Sequence, residues 1–247
     1  AGLHLDGLAR TSSARVIRGI RSAGYALALS STLGIATRVA YRLVPAARRS
    51  RTATSAGRNS GASRREGARP RCVVFDLDGC LWYPDMYMLW GGGAPFQEQP
   101  DGSLLDCAGR RVALHAGVSS VFNELADERE WAGTTVAIAS CSDEPQWARE
   151  CLAKFEAKPG RALRDVVDAS ACQIHKGSKT QHLREIAKAV GCELEEMIFF
   201  DNEQYNCQEV SRIGVSCVYC PGGVTDKVWR EGLAGFQKGD KITTVGG

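Results

Sequence analysis

Lysine is absent from the first 70 residues of this chain, and acids are nearly so. That stretch holds 13 Arg against only Asp6 and Glu66, a balance of 13 − 2 = +11. The full chain of 247 residues carries a formal +3, so residues 71–247 carry 3 − 11 = −8. The basic charge therefore belongs to a leading arm, and the body is acidic. That sign argues against a nucleic-acid partner. An arm rich in Arg, Ser and Ala and poor in acids has the composition of an organelle transit peptide. Its stretch "GLARTSSARVIRGIRSAGYALALS" can wind into a basic amphipathic helix, and residues 46–70 read as a disordered linker. The expectation for residues 1–70 is targeting to a plastid or mitochondrion, with an address-free basic arm on a cytoplasmic protein as the alternative.

Long apolar runs are also missing. The longest charge-free run, Ser22 to Thr37, has 16 residues and includes Ser, Thr and Gly. A spanning helix needs roughly 20 mostly apolar residues, so no stable membrane span is expected. The 10 cysteines are scattered, and several, such as Cys72 and Cys217, sit in apolar runs. There is one C-x-x-C, Cys217 to Cys220, and no second pair to complete a zinc site. Reduced, strand-embedded thiols are expected rather than a disulfide scaffold. No internal repeat is present.

What is present in residues 71–247 is an alternation of short apolar runs and amphipathic stretches. The runs predict strands at 71–77, 134–140, 165–168, 196–200 and 215–219. Helices are predicted near 118–128, 144–157, 178–190, 203–213 and 225–236. This pattern predicts an α/β fold: a Rossmann-like parallel sheet with helices on both faces. The long interval 79–117, with "GGG" and "QPDGS", predicts a small cap or loop insertion after the first strand, passing over the active-site edge.

In such sheets ligands sit at the carboxyl ends of the strands. Here those ends carry chemistry. The first run ends in Asp76-Leu77-Asp78, the second in Ser140 followed by Cys141, and the fourth in Asp201-Asn202. Lys176 and Lys179 lie just before and at the start of a predicted helix. Clustered carboxylates repel unless a cation sits among them, and an all-oxygen set fits Mg²⁺. A hydroxyl and an ammonium beside the metal make an anion site. Metal, anion site and a spare carboxylate together suit phosphoryl transfer.

The order of these segments resembles the haloacid dehalogenase superfamily, and within it the magnesium-dependent phosphatases that use an aspartate nucleophile. "FDLDGCLW" matches the first motif, "VAIASCSDEPQWA" the second, "GSKTQHLREI" the third and "MIFFDNEQYN" the fourth. The likeness covers about residues 71–236. It implies a Mg²⁺-dependent phosphatase for phosphate monoesters working through an aspartyl-phosphate. Asp76 would be the nucleophile and Asp78 the general acid and base. Ser140, Cys141 and Lys179 would hold the transferring phosphate. Asp76, Asp78 (by its backbone carbonyl), Asp201 and Asn202 would hold the metal. Substrates would be a phosphorylated small molecule such as a sugar phosphate, or a phosphotyrosine protein. One departure stands out: Cys80 occupies a position that is often Thr or Val in this superfamily. A receiver-like module that stores a phosphoryl group, or a silent binding relative, is the alternative class. The second carboxylate, Asp78, and the retained Asp76 and Lys179 favour an enzyme. The aromatics Trp82, Tyr83, Tyr87, Trp90 and Phe96 are expected either to line an entrance or to form a small core under the insertion.

Overall fold

The computed structural model describes residues 69–246. The arm read as a targeting segment lies outside them, apart from Arg69 and Pro70. Among the described residues no helix is long and apolar enough to cross a membrane.

Period-two alternation decides the layers. In β1 (Cys72–Phe75), Val73 and Phe75 join one hydrophobic cluster while Cys72 and Val74 join another. Both faces are buried, as the unbroken apolar run requires. The remaining elements follow in chain order. An insertion carries β2 (Trp82–Tyr83), β3 (Gln97–Glu98), β4 (Leu104–Leu105) and β5 (Arg111–Leu114). Then come α1 (Val118–Leu125), β6 (Thr135–Ser140), α2 (Pro145–Lys154) and a small hairpin, β7 (Glu156–Lys158) with β8 (Arg161–Ala162). They are followed by β9 (Cys172–Ile174), α3 (Lys179–Val190), β10 (Met197–Asp201), α4 (Gln204–Arg212), β11 (Ser216–Tyr219), α5 (Asp226–Lys238) and β12 (Ile242–Thr244).

The main sheet has six strands in the order β12-β11-β10-β1-β6-β9, all parallel. α1, α2 and α5 cover one face, burying Phe122, Cys151 and Trp229 against Phe75 and Phe200. Phe75 stacks on Phe200 at 5.0 Å between ring centres. α3 and α4 cover the other face through Leu183, Ile186 and Val210. The expected fold class is what the chain adopts.

Three details differ from the sequence pattern. Residues 165–168 form no strand. Leu163–Asp165 is a 3-10 turn, and Asp168 caps the next one by accepting the Ser170 N–H at 2.8 Å. The third strand is instead β9, whose central Gln173 masks the apolar signal. β12 was not expected, because its residues are largely exposed at the sheet edge. The insertion is an ordered antiparallel sheet, β2-β5-β4-β3. Its hub is the buried Asp106, which accepts N–H groups from Gly93 (3.1 Å), Ala108 (2.9 Å) and Arg110 (2.7 Å) and pairs with the Arg110 guanidinium.

The aromatics divide between the two expectations. Trp82 and Phe96 are buried in the core, while Tyr83, Tyr87 and Trp90 are exposed. All 10 cysteines are free thiols. Cys217 and Cys220 pack in the clusters on opposite faces of the sheet, so they cannot share a metal.

Candidate active site

β1 delivers the first carboxylates. Its ladder continues one residue further, with the Asp76 N–H donating to the Phe200 carbonyl at 2.9 Å. The chain then turns at Gly79, whose φ of +69° suits glycine. A Cβ on Gly79 would lie 2.3 Å from Asn202 Nδ2, so the turn also needs glycine to let Asn202 approach. The turn closes through Gly79 N–H to Trp82 O (2.9 Å) and Leu81 N–H to Leu77 O (2.8 Å). This brings the Trp82 indole N–H onto Asp78 Oδ1 at 2.8 Å. Cys80 is fully buried and directs its thiol at the Phe200 carbonyl, 3.4 Å away. The thiol thus serves as a donor tying the loop to β10, and its burial shields it from oxidants.

α3 delivers the cation. Ser178 caps it, its Oγ accepting the Gln181 N–H at 3.2 Å, which makes Lys179 the first helical residue. The Lys179 ammonium is buried, 2.5 Å from Asp76 Oδ1, 3.5 Å from Asp201 Oδ2 and 2.6 Å from the Ala139 carbonyl it donates to. Burial works against its charge, but the Asp76 and Asp201 carboxylates outweigh burial and hold it above the usual lysine range. Lys176 is different: it is exposed and pairs with Asp143 at 2.7 Å on the rim.

β6 ends in the buried Ser140, whose Oγ accepts the Ser142 N–H at 3.3 Å. Cys141 beyond it is exposed and donates its thiol to the Gly177 carbonyl at 3.1 Å. β10 ends in Asp201, whose carboxylate is fully occupied. Oδ1 accepts the Glu203 N–H at 2.7 Å, and Asn206 Nδ2 reaches both oxygens at 3.2 and 3.0 Å. Asn202 Oδ1 is buried with no hydrogen-bond partner.

Asp76, Asp78, Ser140, Cys141, Lys179 and Asn202 line one cavity of about 230 Å³. The two loop carboxylates are not alike. Lys179 neutralises Asp76. Burial pushes Asp78 up to about 7; the Trp82 N–H resists this and the Asp76 charge adds to it. One carboxylate is paired with an ammonium, and its neighbour can carry a proton near neutrality.

Among the described residues no three His, Cys, Asp or Glu side chains form a ready metal cluster. The donor set here is a carboxylate, backbone and the buried, orphaned Asn202 Oδ1, all hard oxygens beside one cavity, which suits Mg²⁺ with some of its waters retained. Asp201, whose oxygens accept from Glu203 and Asn206, also lies 3.5 Å from the Lys179 ammonium. Sequence reasoning missed Asn206 and Asp85 in this site, gave Glu203 no role, and placed Trp82 only at an entrance or in a small core, not against Asp78. Trp82, four residues after Asp78, and Asn206, five after Asp201, fall inside the quoted motifs, but nothing in a linear pattern shows which side chain they touch.

Comparison with known proteins agrees with this geometry. The acid phosphatase family model matches residues 68–239. Human magnesium-dependent phosphatase 1 is 31% identical over 171 residues, spanning 68% of this chain and 88% of that one. A HAD-like hydrolase superfamily protein of Schizosaccharomyces pombe is 30% identical over 152 residues, spanning 60% of this chain and 83% of its own. The Mg-complexed phosphatase domain in the N-terminal part of BF1531 from Bacteroides fragilis superposes with a TM-score of 0.47 at 17% identity, over 66% of this chain and 40% of that one. The six-stranded parallel sheet, the carboxylates at its carboxyl edge and a family match over most of the body lead to one placement: the chain belongs to the acid phosphatase family, phosphoric monoester hydrolases of the haloacid dehalogenase superfamily.

Proposed function

We propose that the chain is a Mg²⁺-dependent phosphatase that forms an aspartyl-phosphate on Asp76 and uses Asp78 as its acid and base. The observation that carries this is the unequal pair: Asp76 is held 2.5 Å from the Lys179 ammonium, while Asp78 two residues on is buried against Trp82 with its pKa near 7. The Asp76 carboxylate attacks phosphorus, and the bond to the leaving oxygen breaks. Asp78 gives that oxygen its proton, then takes one from the water that attacks the acyl phosphate. Inorganic phosphate leaves, and both side chains return to their starting states. Lys179 neutralises Asp76 and steadies the acyl phosphate. Ser140, with backbone N–H groups of its loop, meets the phosphoryl oxygens. Asp76, the Asp78 carbonyl and Asn202 Oδ1 would hold Mg²⁺, which screens the approach of a carboxylate to an anionic phosphate.

The cavity is small, about 230 Å³. It takes the phosphoryl group and the start of the leaving group, leaving the rest beside the exposed Tyr87 on its wall. That suits a sugar phosphate or a phosphotyrosine side chain.

The test uses nitrophenyl phosphate with Mg²⁺ or EDTA and two variants. Asp76→Asn should abolish turnover. Asp78→Asn should slow it by about 10²–10⁴, the usual worth of general acid–base assistance. Because nitrophenolate needs little protonation, Asp78→Asn should also release a burst of phenol and hold phosphate on Asp76, seen as added mass on the intact chain. Full activity of Asp76→Asn, mass on another residue, or full activity in EDTA would overturn the assignment.

A further inference from the structure

Three acids besides the catalytic pair line the cavity: Asp85, Asp143 and Glu203. They are not equivalent. Asp143 is neutralised by Lys176 at 2.7 Å. Asp85 and Glu203 have no ion-pair partner among the described residues. Each occupies the position that opens a helix, Asp85 before the 3-10 turn Met86–Leu89 and Glu203 before α4, and neither side chain caps its helix. An aspartate in that place ordinarily accepts the free N–H groups of the first turn. The Asp85 carboxylate forgoes those local donors and faces the cavity instead. It lies within the field of both Asp76 and Glu203, although the three belong to different loops. Tyr87, two residues on, adds an exposed ring to the same wall.

Uncompensated charges on the walls of a cleft focus potential on whatever occupies it. The phosphoryl group passes inward to Lys179. What remains beside Asp85 and Glu203 is the leaving group. We propose that Asp85 and Glu203 are specificity-determining residues that sort leaving groups by charge. They favour phosphate monoesters carrying an ammonium or guanidinium group near the ester oxygen over neutral ones, and disfavour those carrying a second anion. Tyr87 supplies an aromatic face against which such a cation rests. This inference rests on the phosphatase reading above.

Three aryl phosphates of similar size separate the two ideas: 4-(aminomethyl)phenyl, 4-(hydroxymethyl)phenyl and 4-carboxyphenyl phosphate, each assayed with the full chain and Mg²⁺. The expected order of kcat/KM is cation, neutral, anion. The spread should be on the order of tenfold or more at low salt, as two nearby unit charges would give in a wet cleft. It should shrink toward one at about 1 M salt, where the screening length falls to about 3 Å. Asp85→Asn with Glu203→Gln should collapse the spread at low salt as well, with circular dichroism melts reporting that the variant is folded. Each single variant should remove part of the spread. Equal kcat/KM for the three probes in the unaltered chain, or an order unchanged in the double variant, would refute the charge selection while leaving the phosphatase reading intact. Turnover of none of the probes would overturn that reading and this one with it.

Discussion

Removing the buried cation is the sharpest perturbation. Lys179→Met keeps the length of the side chain but deletes an ammonium that contacts Asp76, Asp201 and the Ala139 carbonyl. Breaking a buried pair by removing one partner costs about 3–5 kcal/mol, because the other charge is left uncompensated. For a body of this size, roughly 2–4 °C of Tm follows each kcal/mol, so a loss of about 6–20 °C is expected. The cost should depend on pH, since the stranded Asp201 carboxylate can escape by taking up a proton. Burial and the Asp76 charge already raise the pKa of Asp201, and without Lys179 it rises further. Its folded-state pKa then lies well above the unfolded value of about 3.9. Between those values the folded state binds more protons than the unfolded state, so stability falls as pH rises. The deficit relative to the unaltered chain should therefore be small near pH 5 and complete at pH 8. Urea melts at both pH values in EDTA, where no metal substitutes for the lost cation, would measure it. Equal deficits at the two pH values, or less than about 1 kcal/mol at pH 8, would refute the view of Lys179 as the compensating charge.

His182, one turn beyond Lys179, is fully buried, with both ring nitrogens lacking a hydrogen-bond partner among the described residues. Burial, aided by His175 and Lys179, pulls its pKa down to about 4. The unfolded state takes the proton first, so stability should fall by up to about 3 kcal/mol as pH drops from 6.5 to 4. His182→Leu should flatten that part of the acid profile in thermal melts; an unchanged slope would contradict the assignment. Gly79→Ala puts a Cβ into Asn202 at φ +69°, costing roughly 1–2 kcal/mol of backbone strain and displacing Asn202. Steady-state assays should show Mg²⁺ affinity falling more steeply than Tm, and normal affinity would count against Asn202 as a ligand. Trp82→Phe removes the N–H that favours ionised Asp78. The limb of the pH–rate profile that reports Asp78 should move upward by several tenths of a pH unit or more; a downward move would show that Trp82 acts on some other group.

Much of the chemistry was legible in order along the chain. Asp76-Leu77-Asp78, Ser140, Lys179 and Asp201-Asn202 each follow a strand run or open a helix, and a parallel sheet brings such ends to one edge. Four of the five predicted strands stand within a residue or two of their place, because their runs are buried on both faces and leave an unbroken apolar signal. The missed β9 and β12 have one cause. An edge strand buries little, so Gln173 and the exposed Ile242 carry no pattern to detect.

What the sequence determined by itself is the class of fold, the inventory of reactive groups and the split between a basic arm and an acidic body, since these depend on local periodicity and composition. The tertiary structure decided how those groups differ from one another. Asp76 and Asp78 are identical in a sequence. They part only because Lys179 arrives from α3 to neutralise the first, while Trp82 folds back from the insertion to bury the second. Lys176 and Lys179 are likewise interchangeable until the Ser178 cap turns the later one inward and Asp143 holds the earlier one on the rim. Asp201 and Asn202 are equal candidates in the sequence; they differ in the fold because Asn206 occupies the Asp201 carboxylate, while the buried Asn202 Oδ1 has no hydrogen-bond partner. Charge state and orientation depend on burial and on partners distant along the chain, and those distances exist only once the chain has folded.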